Sequence, residues 1–148
     1  MISDPISLLK YEHAILRVRF QTVSQCLNFE EGWRILENAH QFIINWHAKI
    51  EDKYVFPVLE GMGINVKPLS NDHLLIEKYG NSVLKERRRD WAERYIRIVI
   101  DHNLNEEKIF PKKLNDEIME KIIVDMKNYQ GYFEFTGLDE YDLNFHAY

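Results

Sequence analysis

Hydrophobic residues recur along this 148-residue chain in alternating steps of three and four, and this spacing restricts the fold more than any other feature. Residues at that spacing share one face of an α-helix, because the helix has about 3.6 residues per turn. Four consecutive segments carry such a stripe, which predicts four helices packed almost antiparallel with the stripes inward. The stripes are Ile6, Leu9, His13, Leu16, Phe20, Val23 and Leu27; Trp33, Leu36, His40, Ile43, His47, Ile50 and Tyr54; Leu69, His73, Ile76, Gly80 and Val83; and Trp91, Tyr95, Ile98, His102, Asn105 and Ile109.

Capping residues and helix breakers place the ends of these segments. We expect an all-α single domain over residues 1–148. An up-down-up-down four-helix bundle would occupy about 4–111, and a short fifth helix and an aromatic-rich C-terminal tail about 115–148. The predicted helix starts are Asp4 before Pro5, Asn28 with Glu31, Ser70, Asp90 with Glu93, and Asn115; the predicted ends are about Leu59 for the second helix, Pro111 for the fourth and about Tyr129 for the fifth.

Composition excludes several classes of protein. The net charge is −5 and the chain has no long basic run, which argues against nucleic acid as a partner. The single cysteine, Cys26, excludes an internal disulfide, and we interpret it as an inert, half-buried thiol. No segment resembles a secretory signal or approaches the roughly 18 apolar residues of a membrane span. We therefore expect a cytoplasmic protein without a membrane or nucleic-acid partner.

Five of the six histidines lie on the predicted stripes. One such histidine alone is best interpreted as a hydrogen-bonded core residue. In an up-down bundle, however, four of them lie within one to two turns of a common level, at about 1.5 Å per residue. These four imidazoles, one from each helix, are therefore expected to converge at one end of the bundle: His13, His47, His73 and His102.

Two glutamates join this predicted cluster. Glu51 follows His47 by four residues and Glu106 follows His102 by four, so each pair shares a helix face. Ionised carboxylates among apolar residues are costly without a cation, although surface pairing at this spacing is an alternative. Four imidazoles and two carboxylates predict the ligands of two metal ions, with positions open for an oxo, hydroxo or exogenous ligand. Such mixed ligation suits iron, with manganese and zinc as alternatives.

The two His-x-x-x-Glu elements also look like repeats. One reads HAKIEDKYVFP from His47 and the other HNLNEEKIFP from His102, so each has a second acid, a lysine and then Phe-Pro. They differ by one inserted residue. Because His13 and His73 each lead a helix, the chain has the pattern of a duplicated helix hairpin.

With these motifs the sequence resembles the hemerythrin-like (HHE cation-binding) family from about Pro5 to Pro111. The resemblance implies a four-helix bundle that holds a non-haem di-iron site. Glu51 and Glu106 would bridge the two ions. His13 with His47, and His73 with His102, would be the terminal ligands of the two irons.

The chain also departs from the oxygen-carrying members of that family. Those proteins have a second histidine one turn after the first on the third helix, where this chain has Glu77. Their last ligand pair is a histidine and an aspartate five residues apart, against four between His102 and Glu106. The pattern is closer to the branch with iron–sulfur-cluster repair proteins and the iron-sensing domain of a ubiquitin-ligase subunit. This difference argues against reversible oxygen transport.

The resemblance implies a di-iron centre that binds or reacts with O2, NO or peroxide, and it leaves three classes of function open. The first is a binding module that acts as a sensor or scavenger. The second is an enzyme that turns over peroxide or NO with an electron-donor protein and a proton donor such as Glu77 or Tyr54. The third is an iron-handling protein that supplies metal to damaged clusters. The sequence assigns no catalytic residue and leaves an oligomer open.

Further residues have competing interpretations. Glu77 is a seventh ligand, a proton donor or a solvated residue, and Tyr54 either bonds a bridging carboxylate or packs in the core. His40 is expected in the core or beside the ligands, about 10 Å from His47. Glu37-x-x-His40 alone gives a weak ferritin-like or rubrerythrin-like peroxidase alternative, because that architecture needs two such motifs.

Surface roles are expected for the remaining charged residues and for the tail. Asp72 and Asp101 precede proposed ligands, and we interpret both as helix-surface charges because adjacent side chains point about 100° apart. Arg87-Arg88-Arg89 is expected on a solvated face. The tail from Gly131 packs along the bundle, covers its end or joins a second subunit, and its His146 is not expected to be a ligand.

Overall fold

Six helices account for most of residues 1–143, the part of the chain that this computed structural model describes. No residue of this part lies in a β-strand, which confirms the all-helical class. No helix within it is both long and apolar enough to cross a membrane. His146 lies outside the described residues. The helices are α1 (Pro5–Cys26), α2 (residues 30–61), α3 (Lys67–Glu86), α4 (Arg89–Ile109), α5 (Asp116–Met126) and α6 (Tyr132–Thr136), followed by a 3-10 turn at Glu140–Leu143.

Two predicted helix starts and one predicted stop are confirmed. The Asp4 carboxylate accepts from the Ser7 backbone N–H at 3.0 Å, and Asn115 caps α5 in the same way. Helix α4 ends at Ile109, because the residue before Pro111 is extended. The fifth helix ends at Met126, three residues before the predicted end. Such differences at fraying helix ends are common.

Two predicted capping boxes are wrong. Phe29 precedes the first residue of α2, and the Asn28 side chain instead accepts from the Arg89 guanidinium at 2.8 Å. Helix α4 begins one residue before Asp90, whose carboxylate accepts from the Arg88 guanidinium at 2.8 Å. In both cases an arginine at or just before the start of α4 binds the polar side chain that was expected to cap a helix.

The predicted cap at Ser70 is also wrong. Helix α3 begins three residues earlier, at Lys67, and Pro68 lies in its first turn. Proline is favourable there because the first N–H groups of a helix have no intrahelical partner. Pro68 therefore belongs to the start of this helix and not to the loop before it.

Helix α2 contains two π-helical turns that the periodicity did not predict. They cover Ile43–His47 and Glu51–Val55, separated by the single turn Ala48–Ile50. The backbone N–H of Ala48 and that of Phe56 each donate to the carbonyl five residues earlier. Because a π turn holds one more residue than an α turn, the second π turn accommodates the residue inserted into the first repeat.

The predicted stripes of α1 and α3 are buried throughout, whereas the stripe of α4 is displaced. On α4, Asn105 is exposed, and Val99 and Glu106 are buried instead. A straight helix drifts by about 20° per heptad from a strict seven-residue repeat, so the inward face rotates along α4. Helix α1 packs against α2 and α4, and α3 packs against α4 and α2.

Residues 131–143 pack along the side of these helices, the first of the three alternatives for the tail. Tyr132, Thr136 and Leu143 are buried there. The Tyr11 hydroxyl donates to the Thr136 carbonyl at 3.0 Å, and the Arg19 guanidinium donates to the Phe135 carbonyl at 2.9 Å. The tail is thus bonded to α1 through its backbone.

His40 is a core residue, one of the two roles expected for it. Its Nε2 lies 2.9 Å from Asn81 Oδ1, and its Nδ1 lies 2.6 Å from the Tyr95 hydroxyl. Burial lowers the pKa of His40, so the imidazole is neutral, donates to Asn81 and accepts from Tyr95. The ring fits against α3 only because Gly80 has no side chain there.

We expect Gly80→Ala to destabilise the protein by about 1–3 kcal/mol, the usual cost of overpacking. An added Cβ would lie 2.1 Å from His40 Cε1, so the buried ring or α3 would have to move. Gly61→Ala is the control, because a Cβ there meets nothing within 4 Å. Urea unfolding measures both variants, and equal midpoints for the two would contradict this packing.

Candidate metal centre

Six buried side chains from α1–α4 meet in one place, and His73, the most exposed, is only 7% accessible. They form two overlapping groups in which the nitrogen and oxygen atoms that could bind a cation all lie within 4.8 Å of one another. The two glutamates belong to both groups, whereas each histidine belongs to one. The groups are His13, His47, Glu51 and Glu106, and Glu51, His73, His102 and Glu106.

Each glutamate directs one oxygen toward each histidine pair. Glu106 Oε1 lies 3.0 Å from His13 Nε2, and its Oε2 lies 3.0 Å from His102 Nε2. Glu51 Oε2 lies 3.5 Å from His47 Nε2, and its Oε1 lies 3.1 Å from His73 Nε2. The carboxylates therefore stand between the two histidine pairs, in position to contact two cations at once.

All four histidines turn Nδ1 away from this centre, toward a carboxylate on another helix. An ionised carboxylate only accepts, so Nδ1 carries a hydrogen and Nε2 faces the centre, where it would present a lone pair to a bound cation. This is the protonation that metal binding through Nε2 requires. The pairs are His13 with Glu107 at 2.8 Å, His47 with Glu12 at 2.7 Å, His73 with Asp52 at 3.0 Å and His102 with Asp72 at 2.9 Å.

These four outer carboxylates form a closed ring around the helices. Each is adjacent in sequence to a residue of the cluster on its own helix and accepts from the histidine of the next helix. The order runs from α1 to α2, α3, α4 and back to α1. The members, with their sequence neighbours, are Glu12 beside His13, Asp52 beside Glu51, Asp72 beside His73, and Glu107 beside Glu106.

The interpretation of Asp72 as only a surface charge is therefore wrong, whereas Asp101 is exposed as expected. A side chain about 100° from its neighbouring ligand points away from that ligand but toward the adjacent helix. The roles of Glu12, Asp52 and Glu107 were not predicted from the sequence. The available signal was an acid beside one predicted ligand on every helix.

The central atoms fit cations better than hydrogen bonds. Both oxygens of Glu51, Oε2 of Glu106, and Nε2 of His73 and His102 are buried without a hydrogen-bond partner. The Nε2 atoms of His13 and His47 lie 3.1 Å apart, although both rings hold their hydrogen on Nδ1. Two ligand atoms that each lie about 2.1 Å from one cation, at right angles, are about 3.0 Å from each other. This value matches the 3.1 Å between the two Nε2 atoms and the 3.0 Å between His13 Nε2 and Glu106 Oε1.

The phenylalanines of the two Phe-Pro motifs pack on histidines of this cluster. Phe56 stacks on His73 with ring centroids 5.3 Å apart, and Phe110 stacks on His13 at 6.2 Å. Each phenylalanine thus packs on the histidine that leads the other helix hairpin: Phe56 on His73, and Phe110 on His13. The duplicated motif places an apolar ring against the centre on two sides.

Burial and crowding perturb the titration of the central groups. Burial, together with the negative charge of Glu106, raises the pKa of Glu51 to about 8. Burial would also raise the pKa of Glu106, but His102, His13 and His73 hold it well below its usual range. Burial would lower the pKa of His73, yet the carboxylates of Asp52, Glu106 and Glu51 outweigh it and raise the pKa.

These shifts predict that metal loading at pH 7 releases protons. Below about pH 8 the Glu51 carboxyl of the metal-free protein holds a proton, and the raised pKa of His73 keeps a second hydrogen on that ring, so a cation must displace both. Release from Glu51 should decline as the pH rises through 8, while metal affinity rises. Mixing metal-free protein with Fe(II) in weak buffer containing a pH indicator measures the release. Loading at pH 7 without any proton release would contradict this charge assignment.

Neither of the expected proton donors is placed at the cluster. The Tyr54 hydroxyl donates to Asp125 Oδ2 at 2.8 Å and not to a bridging carboxylate, whereas its half-buried ring packs against the core, the other role expected for it. Glu77 is exposed on α3, as expected for the solvated interpretation. Among the described residues, the groups that could hold a metal include neither of them.

Comparison with protein families decides the affiliation of this chain. The model of the hemerythrin HHE cation-binding domain matches residues 4–114. The chain belongs to the hemerythrin family. The match contains all six converging residues and ends before α5, so the last two helices of this hemerythrin domain protein lie outside it. Neither the curated proteins nor the solved structures gave a match. Family and geometry together support a cation-binding function.

Proposed function

We propose that this hemerythrin domain binds two iron ions between α1–α4, arranged as an up-down four-helix bundle. His13 and His47 would hold one ion, His73 and His102 the other, and Glu51 and Glu106 both. The observation that carries this proposal is the orientation of the glutamates, whose two oxygens face opposite histidine pairs. A single cation would use only one of the two groups.

The donor set supports iron, with manganese and zinc as alternatives. Imidazole nitrogens and carboxylate oxygens suit all three metals, and none of the six ligands is a thiolate. Two histidines and two shared carboxylates leave positions free on each ion for a small exogenous ligand. Bound iron would supply redox chemistry and open positions for O2, NO or peroxide.

The chain's own residues determine what reaches these positions. The outer carboxylates fix each imidazole with Nε2 inward, and stacked Phe56 and Phe110 exclude water from two sides. All six ligands are at least 93% buried, so only small molecules can approach without a rearrangement. This burial favours retention of iron over its donation to another protein.

Reversible ligand binding or sensing is favoured over catalytic turnover. Turnover of peroxide or NO needs a proton donor at the centre, and the two side chains expected for that role are bonded elsewhere or exposed. We therefore propose a binding module as the function. An enzyme with an electron-donor protein is the second candidate, and the following experiment separates the two.

The protein purified in air should contain iron, and its absorption spectrum should change on anaerobic reduction and change again when O2 or NO is added. A spectrum of the gas-bound protein that disappears when the gas is removed, over repeated cycles and without added reductant, would support a binding module. Rapid consumption of peroxide by the reduced protein would instead favour the enzyme. A protein that holds only zinc and stays colourless after reconstitution with iron would contradict both.

A further inference from the structure

One member of the carboxylate ring differs from the other three. The Glu12 side chain is fully buried, whereas those of Glu107, Asp52 and Asp72 are 27%, 44% and 40% exposed. The carboxylate oxygens of the three exposed residues can also accept hydrogen bonds from water. The oxygens of Glu12 are out of reach of water, so they can accept only from protein donors. A buried carboxylate without such donors is strongly destabilised.

Three donors meet Glu12. His47 Nδ1 lies 2.7 Å from its Oε1, while Trp46 Nε1 and the Tyr132 hydroxyl donate to its Oε2 at 3.0 and 2.7 Å. The two donors on Oε2 leave Oε1 as the acceptor for the imidazole.

One of these donors comes from outside the family match. Tyr132 lies on α6, 18 residues beyond residue 114, and is 1% accessible. Its ring packs against Trp46, with centroids 5.1 Å apart, and against Phe42 at 6.0 Å. A segment that supplies no metal ligand thus bonds directly to the group that orients one.

We propose that Tyr132 is a positioning residue for the His47 side of the metal centre. Its hydroxyl holds Glu12, Glu12 holds the hydrogen of His47 on Nδ1, and Nε2 of His47 is thereby kept as the lone-pair donor. This inference rests on the proposed metal site. Its effect is confined to one of the two ions, because Asp52 and Asp72 orient the histidines of the other.

Tyr132→Phe tests this role, because it removes the hydroxyl and keeps the ring. Titration of the metal-free protein with anaerobic Fe(II) in a calorimeter should give two binding steps. We expect Tyr132→Phe to weaken one step about 10-fold, the lower end of losses seen when a partner of a metal-bound histidine is altered. The other step should stay unchanged.

Tyr11→Phe is the matched control. It also removes a phenol hydrogen bond between α1 and the tail, to the Thr136 carbonyl, but it has no bond to Glu12. Both binding steps should therefore match those of the wild type. Equal titrations for Tyr132→Phe and Tyr11→Phe would overturn the positioning role.

A double-mutant cycle distinguishes positioning from general loosening of the tail. Glu12→Gln should weaken the same step as Tyr132→Phe, and adding Tyr132→Phe to it should have little further effect, because the two act in one chain of bonds. Asp72→Asn should instead weaken the other step, and its effect should add to that of Tyr132→Phe. Additive losses with Glu12→Gln would overturn the proposal.

Amide hydrogen exchange of the wild type gives a readout that needs no variant. If Tyr132 links α6 to the metal centre, iron loading should slow exchange in α6, and unchanged exchange there would contradict the link. The failures remain distinguishable. A wild type that binds no metal overturns the proposed function, whereas a wild type that binds two ions without any effect of Tyr132→Phe overturns only this inference.

Discussion

Replacing Glu106 with alanine is expected to abolish tight binding at both metal positions. Its Oε1 faces His13 and its Oε2 faces His102, so one truncation removes a ligand from each ion. Changes to outer partners of metal-bound histidines cost 10- to 100-fold in affinity, and loss of a shared ligand should cost more than about 100-fold at each position. Metal analysis after dialysis measures this loss.

Two further variants make this prediction specific. His47→Ala removes a ligand from one group only and should leave one ion bound, while Glu77→Ala changes an exposed carboxylate on α3 and should leave both. Circular dichroism checks that each variant stays helical. Full occupancy of both positions in a folded Glu106→Ala protein would exclude its assignment as the shared ligand.

Removal of the metals is expected to lower the thermal midpoint more than any substitution outside the site. A ligand that binds only the folded state at 1,000 times its Kd contributes about 4 kcal/mol, or roughly 8 kcal/mol for two ions. For a chain of this size, that corresponds to a midpoint change on the order of 15 °C or more. Calorimetry of the iron-loaded protein before and after chelation measures it.

The Glu106→Ala variant is the control for this experiment. Since it should hold no tightly bound metal, chelation should leave its thermal midpoint unchanged. The wild type should converge on its own metal-free midpoint whichever chelator is used. If the loaded and chelated wild-type proteins unfold at the same temperature, the cations do not stabilise the fold and the four histidines are held together by other interactions.

Much of the fold could be predicted because helical periodicity and strong caps are local signals. Asp4 and Asn115 each bond a backbone N–H three residues later, which depends on neighbouring residues alone. The caps at Asn28 and Asp90 failed because arginines distant in sequence or next to the cap bind those side chains. Such side-chain contacts overrule the capping preference, and the one between Arg89 and Asn28 leaves no trace in the spacing.

The π turns of α2 show a second limit. The inserted residue was visible when the two motifs were compared, but a strict three-and-four alternation assigns it no position. The turn at Glu51–Val55 absorbs it without breaking the helix, and Phe56, which follows that turn, still stacks on His73. An insertion between repeats is therefore a usable signal for a π turn.

The six central residues could be chosen from sequence because each lies on an inward helix face. Their outer partners were missed because the prediction considered each helix alone, although an acid beside one predicted ligand on every helix was a usable signal. Asp72 faces away from His73 on its own helix and meets His102 on the next. Glu12 and Tyr132 are 120 residues apart, and only the docked tail brings them together.

The number of ions per chain tests the central claim most directly. Metal-free protein reconstituted anaerobically with Fe(II), separated from free metal and analysed for iron and protein, should contain two iron ions per folded chain. A ratio of two would agree with both glutamates spanning a pair of cations. A folded, monodisperse protein that holds one ion or none at saturation would contradict the dinuclear centre.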